Sequence, residues 1–425
     1  MKINYKRVIL VGFAFFLISS FWIAYDAIVP LILTRKYGLN NAERGFIMAL
    51  DNILSLFMLP LFGSISDKTN TKFGRRKPYI FFGTIFAVIS FIASSFVNNL
   101  VWFVIILLIV LISMATYRSP AVALMPDVTI KPLRSKGNAV INLMGTFGGI
   151  LTLGLGILFK TSEEGKTDFM FYIFAVCGLM LISLIIFLLT VKENKWVQEM
   201  HDDTIKFNVE EDVEESTEYK KLSPDKLKSL ILILASVFLW YFGYNAVTSN
   251  GSLYASDVLK MNFNVAFIMA QIFAIITFVP AGILASKIGR RKTILMGVTL
   301  LTVAFFCGYF MTSASSPIVL YLIFGIAGIG WASINVNSFP MVVELSKEGN
   351  VGKYTGYYYT ASMAAQALTP YVVGLIMDLV GDMSPLFIYA TIFAGLSFVT
   401  MFFVKHGDSK PEVKNSILEN FDTND

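Results

Sequence analysis

"GSISDKTNTKFGRRKPY", residues 63–79, sets five basic side chains (Lys68, Lys72, Arg75, Arg76 and Lys77) between two long apolar stretches. A shorter version, "GILASKIGRRK", stands at residues 282–292. Arg75 and Arg290 are 215 residues apart, and two acids that each close a later apolar run, Asp127 and Glu344, are 217 apart. A near-constant offset between unlike landmarks marks an internal repeat.

The repeat lies in an oily chain. Of 425 residues 56% are hydrophobic and 15% charged, where a soluble domain carries about a quarter charged. Apolar runs near the roughly 20 residues a bilayer requires lie at 8–33, 43–65, 79–97, 99–124, 137–159, 169–191, 229–256, 263–285, 293–312, 317–343, 352–377 and 384–404. None alternates polar with apolar, so the spans read as helices and not as barrel strands. The expected fold is an all-α integral membrane protein, twelve transmembrane helices in two pseudo-symmetric halves of six. Residues 1–191 form the first half, 192–228 a linker, 229–404 the second half and 405–425 a tail. The linker holds the acidic run "VEEDVEESTEYKK", read as a solvated connector. The apolar run after "MKINYKR" is too long for a signal peptide and reads as the first span.

Charge fixes the orientation. With the N-terminus in the cytoplasm, 27 of the 34 Lys and Arg fall on that side, six on the other, and Arg118 inside a span. This satisfies the positive-inside rule and places both termini in the cytoplasm of a plasma (inner) membrane. The net charge of +5 is thus orientation charge, not a nucleic-acid surface. Cys177 and Cys307 are isolated in apolar runs, and His201 and His406 lie outside the spans. Metal clusters, disulfides and membrane histidine catalysis are excluded, so neither an enzyme nor a bound cofactor is expected.

The Gly63-x-x-x-Asp67 element with Gly74-Arg75-Arg76-Lys77, and its degenerate copy at Gly282, Gly289, Arg290 and Arg291, resemble the loop motif of the major facilitator superfamily. The four extra residues before Gly74, "YRSPAVALMPDVTIKPLRSKGNA" at 117–139 and "GIGWASINVNSFPMVVE" on span 10 resemble the glycoside–pentoside–hexuronide cation symporters and sucrose carriers. The resemblance covers essentially the whole chain. It implies alternating access, with spans 1, 4, 7 and 10 lining the path.

Physically, Gly63 lets two helices approach, since it adds no side chain between them. Asp67 at the inner end of span 2 is placed to pair with Arg75 or Arg76, and Asp127 to pair with Arg134, as a latch on the cytoplasmic side. The second copy has Ser286 in place of the acid, so a weaker latch or none is expected there, with Glu344 the remaining acid. Positive-inside charge alone would explain the basic residues but not Asp67 or Gly63.

Ionisable residues inside spans are costly and point to function. Asp26, Asp51 and Arg118 are the coupling-ion candidates, although depth along the helices leaves a direct Asp26–Arg118 bridge open. Sodium-using relatives carry two acids on span 2 just before a proline; aligning on Pro60 puts Ser55 and Leu59 there. A proton is therefore the expected coupling ion, ahead of sodium, with uncoupled facilitation left open.

For substrate, Trp22, Tyr25, Asn52, Tyr117, Asn142, Asn245, Asn250, Gln271, Trp331, Asn335, Asn337 and Tyr358 supply aromatic faces and neutral groups. Amides both donate and accept, which suits sugar hydroxyls. The same residues could instead be interhelical hydrogen-bond glue. The reading is a monomeric secondary transporter in the lipid bilayer, moving a glycoside or other sugar with protons. The alternative is an efflux antiporter for amphipathic small molecules.

Overall fold

The computed structural model describes residues 4–130, 133–207, 223–345 and 351–407. Among these, all regular structure is helical. In chain order the helices are α1 (Tyr5–Leu31), α2 (Asn41–Lys68), α3 (Lys77–Ser95), α4 (Leu100–Asp127), α5 (Arg134–Leu158), α6 (Met170–Thr190) and α7 (Glu193–Lys206). They continue with α8 (Pro224–Leu253), α9 (Phe263–Ile288), α10 (Arg290–Tyr309), α11 (Pro317–Glu344), α12 (Val351–Val380) and α13 (Pro385–Phe402). Twelve are long and apolar enough to cross a membrane; α7 is the exception. It is also a departure from the sequence reading, since part of the expected solvated connector is an ordered helix. The acidic run at 209–221 and most of the tail lie outside the described residues.

Local chemistry explains many of the ends. Asn4, Asn99 and Asn262 accept backbone N–H bonds at the starts of α1, α4 and α9, satisfying donors that have no partner within the helix. Pro224, Pro317 and Pro385 open α8, α11 and α13, where a missing N–H costs nothing. Pro30 lies inside α1, which then closes in a π-helical turn, Ile32–Lys36; α8 likewise runs into a π-helical turn, Tyr254–Val258.

The chain divides into two compact units: Met1–Tyr37, Leu50–Thr161 and Lys166–Val213 make one, and Gly38–Ala49, Ser162–Gly165 and Glu214–Asp425 the other. The first turns of α2 thus pack with the second unit, a detail the helix count alone does not show. Within the first unit α1 lies along α5 and α6, and α3 along α4 and α6. Within the second, α8 lies along α12 and α13, and α10 along α11 and α13. This is the same arrangement repeated. The crossings match in detail: a methyl on Gly83 of α3 would meet Tyr117 and Ser113 of α4, and one on Gly297, 214 residues later in α10, would meet Gly330 and Ser333 of α11.

Candidate functional site

The loop at residues 63–79 carries a cluster of ion pairs in the first unit. Arg76 is 3% exposed, and its Nε donates to Asp127 Oδ2 at 2.8 Å. Its two terminal nitrogens reach Ser66 Oγ and Asp67 Oδ1. Arg75 also reaches Asp127, its Nη2 at 2.8 Å from Oδ1. Burial opposes the charge on Arg76, but the hydrogen bonds and charges of Asp127 and Asp67 outweigh it, so its pKa is raised above the ordinary guanidinium value. Gly63 does what its lack of a side chain allows: a methyl there would stand 2.8 Å from Ser119 Oγ on α4.

One expectation needs correction. Asp127 is taken by Arg75 and Arg76, while Arg134 Nε turns to the Thr129 carbonyl at 3.3 Å. The second copy keeps a smaller latch: Arg290 Nη1 donates to Glu344 Oε2 at 2.8 Å, with both side chains mostly buried. The equivalent of Asp127 supplies the acid, and Ser286 adds nothing to it; its hydroxyl bonds the Ile283 carbonyl. Gly289 makes the turn before α10 at φ +97°, Gly282 lies within α9, and Arg291 holds the end of α13 through the Met401 and Phe402 carbonyls. Each of these ion pairs lies inside one unit.

Deeper in the first unit, α1, α2 and α4 bring together Trp22, Tyr25, Asp26, Asp51 and Arg118. The carboxylates of Asp26 and Asp51 lie close enough to repel, and the charge of Arg118 reaches Asp51. Arg118 also sits 5.7 Å over the Trp22 ring, a cation–π contact. Asn52 donates to Asp51 Oδ1 from both its backbone and its side chain, at 2.5 and 2.6 Å. Trp22 Nε1 and the Tyr25 hydroxyl are buried without a hydrogen-bond partner, which a closed core does not normally tolerate. Tyr117 is elsewhere, packed against Gly83 with its hydroxyl on Met114 Sδ at 2.9 Å. Asn142 is on α5, one turn from Thr146, whose hydroxyl bonds its carbonyl.

The second unit has its own aromatic centre. Tyr244 stacks on Trp331 with centroids 3.9 Å apart and planes within 6°, and Tyr241 meets the same ring edge-on at 5.2 Å. One turn along α11, Asn335 is 4% exposed and its Oδ1 has no partner. Asn245 donates to the Tyr241 carbonyl at 2.9 Å, one turn back. Gln271 is half-buried on α9. Asn337 bonds back to Ser333, and the hydroxyls of Tyr358 and Ser338 pair at 2.9 Å, so these two are engaged in helix packing.

Residues 11–337 and 263–420 match the Major Facilitator Superfamily. The chain belongs to that family. It is 25% identical over 411 residues to an uncharacterized MFS-type transporter of Methanocaldococcus jannaschii, spanning 94% of this chain and 95% of the relative. It is 24% identical over 292 residues to the isoprimeverose transporter of Lactiplantibacillus pentosus, spanning 63% of this chain and 56% of the relative. The fold is similar to the nucleoside transporter NupG (TM-score 0.68, 16% identity, 94% of this chain and 98% of that one). It is also similar to an inward open structure of the xylose transporter XylE from E. coli (TM-score 0.69, 14% identity, 98% and 99%).

As a member of the Major Facilitator Superfamily the protein is a multi-pass membrane transporter of a small molecule and not an enzyme. A structural cluster at the start of α2, built on Arg44 and Asp378, was not among the residues picked from the sequence. Arg44, one of the six basic residues expected on the outer side, is 1% exposed and donates to Asn250 Oδ1 at 2.6 Å. That bond places Asn250 in a structural cluster of the second unit, where Asp378 of α12 also accepts the N–H groups of Asn41 and Ala42 at 3.0 and 2.8 Å. A side chain on Gly45 would fall on the Pro370 carbonyl. Arginine beside the start of a span was the available signal, but it is indistinguishable from topology charge until the fold is known.

Proposed function

We propose that this carrier moves a glycoside or other sugar across a cell membrane by alternating access, coupled to protons, with both termini in the cytoplasm. The observation that carries the reading is the Trp22–Tyr25–Asp26–Asp51–Arg118 set. It joins donors awaiting a partner to titratable carboxylates, inside a helical bundle. Two acids and one guanidinium leave a negative charge in a low-dielectric setting, and a proton is the simplest ion to cancel it. The stacked Tyr244–Trp331 pair and Asn335 supply the aromatic surface and the acceptor a polyol needs. The isoprimeverose transporter among the relatives supports the same class.

Uptake of labelled isoprimeverose, xylose and a panel of other glycosides into proteoliposomes tests this, with and without an inward proton gradient. Gradient-driven accumulation that a protonophore abolishes is expected. Accumulation of no sugar, together with export of an amphipathic dye, would replace this reading with the efflux alternative.

A further inference from the structure

Glu193, the first residue of α7, is 2% exposed, and its carboxylate accepts three successive backbone N–H groups. Oε1 takes those of Arg75 and Arg76 at 2.7 and 2.8 Å, and Oε2 that of Lys77 at 2.9 Å. These donors begin α3, where no intrahelical acceptor exists and the helix dipole favours an anion. Gly74, at φ +116°, turns the chain beneath the carboxylate, and any side chain there would collide with it. The same junction is fastened twice more. Asn194 Nδ2 donates to the Thr71 and Lys72 carbonyls at 3.3 and 3.1 Å, and Lys77 Nζ to those of Leu188 and Val191 at 3.1 and 2.8 Å.

In the second unit Arg291 repeats the role of Lys77, its guanidinium donating to the Met401 and Phe402 carbonyls at the end of α13. The arginine–acid pairs are repeated, then, and in the first unit a carboxylate of the connector braces the backbone that carries them.

We propose that Glu193 is a positioning residue of the carrier. Seated as an anion on the start of α3, it aims Arg75 and Arg76 at Asp127 and Asp67 and ties the connector between the two halves to that loop. A displacement of the connector is thereby transmitted to the ion pairs.

Hydrogen exchange on the full-length protein in lipid nanodiscs tests this, comparing the wild type with Glu193→Gln and Glu193→Ala. A hydrogen bond to a charged group accounts for roughly tenfold or more in protection. Exchange of residues 75–77 is expected to rise by about that factor, with residues 290–296 unchanged. Sodium formate, a small carboxylate, should restore protection in Glu193→Ala and leave the wild type as it was. Unchanged exchange at 75–77, or a rise spread over all helices that formate does not reverse, would overturn the proposal. A second measurement rests on the sugar reading: the variants should lower the maximal rate of isoprimeverose uptake without raising KM. If the wild type itself takes up no sugar, that reading fails while the exchange result stands.

Discussion

Arg290 donates to Glu344 at 2.8 Å, the same separation at which Arg76 Nε meets Asp127 in the other unit. The two pairs differ in their surroundings. Asp127 serves two arginines and has Asp67 and Ser66 beside it, whereas the corresponding position to Asp67 is Ser286, which bonds only within its own helix. Removing one partner of a mostly buried pair strands a charge, at about 3–5 kcal/mol. Asp127→Asn leaves two guanidinium groups to share Asp67, while Glu344→Gln strands Arg290. Both variants are expected to insert but to melt several degrees below the wild type in detergent. The double variant Arg290→Gln/Glu344→Gln should recover most of the loss. A double variant less stable than Glu344→Gln would show that the pair is not the unit of stabilisation.

Asp67→Asn tests a different element of the same cluster. Asp67 is over half exposed, so its contact with Arg76 contributes little to stability, at most about 1 kcal/mol. Its expected effect is kinetic: near-normal melting with slowed transport. Transport at the wild-type rate would make Asp67 a bystander.

The local part of this architecture was legible in the sequence because its determinants are close together. Apolar runs delimit the spans, and Gly63, Asp67 and Arg76 fall within fourteen residues. Glu193 and Asp378 were not legible, since their backbone partners lie 116–118 and 336–337 residues away. No periodicity marks a carboxylate that caps a distant helix. Tyr117 misled for a related reason. It adjoins Arg118 in sequence, yet successive helical residues point in different directions, and Tyr117 faces Gly83 of α3. Asn250 and Tyr358 show the same limit: an amide or a hydroxyl at helical spacing looks alike whether it faces a ligand or a neighbouring helix.

The start of α2 offers a steric test. A methyl at Gly45 would fall on the Pro370 carbonyl, and one at Gly374 on that of Asn41. Neither obstacle is a flexible side chain, so α2 and α12 must separate locally. Gly45→Ala should break the Asp378 cap as well and raise hydrogen exchange at Asn41 and Ala42. Asp378→Asn should do so more mildly, costing about 1 kcal/mol as loss of an N-cap does. Protection at these two amides that survives Gly45→Ala would mean the contact is not maintained in the membrane.

In the second unit, Tyr244 covers one face of Trp331, and Tyr241 meets the indole at right angles. On the sugar reading, the substrate would stack on this aromatic group and bond Asn335 Oδ1. Tyr244→Ala should raise KM for the glycoside about two- to tenfold, in line with the roughly 0.5–1.5 kcal/mol such aromatic contacts supply. Trp331→Phe, which keeps a ring beneath Tyr244, should have a smaller effect. Equal losses from both would identify the stack as core packing.

On the proton-coupled reading, the carboxylates should separate coupling from transport. Asp26 and Asp51 repel, and Arg118 balances one charge of the two. Asp51→Asn leaves one acid facing Arg118, a neutral set that needs no proton. It should lose gradient-driven accumulation yet retain exchange of labelled for unlabelled sugar across the membrane. Asp26→Asn likewise leaves one acid, Asp51, within reach of the Arg118 charge and should act in the same direction. Because exchange returns the carrier loaded, it needs no net proton movement, so the two measurements distinguish a coupling defect from a binding defect. Uphill accumulation surviving in both variants would remove these acids from the proton pathway. Loss of exchange as well would assign them to the substrate instead.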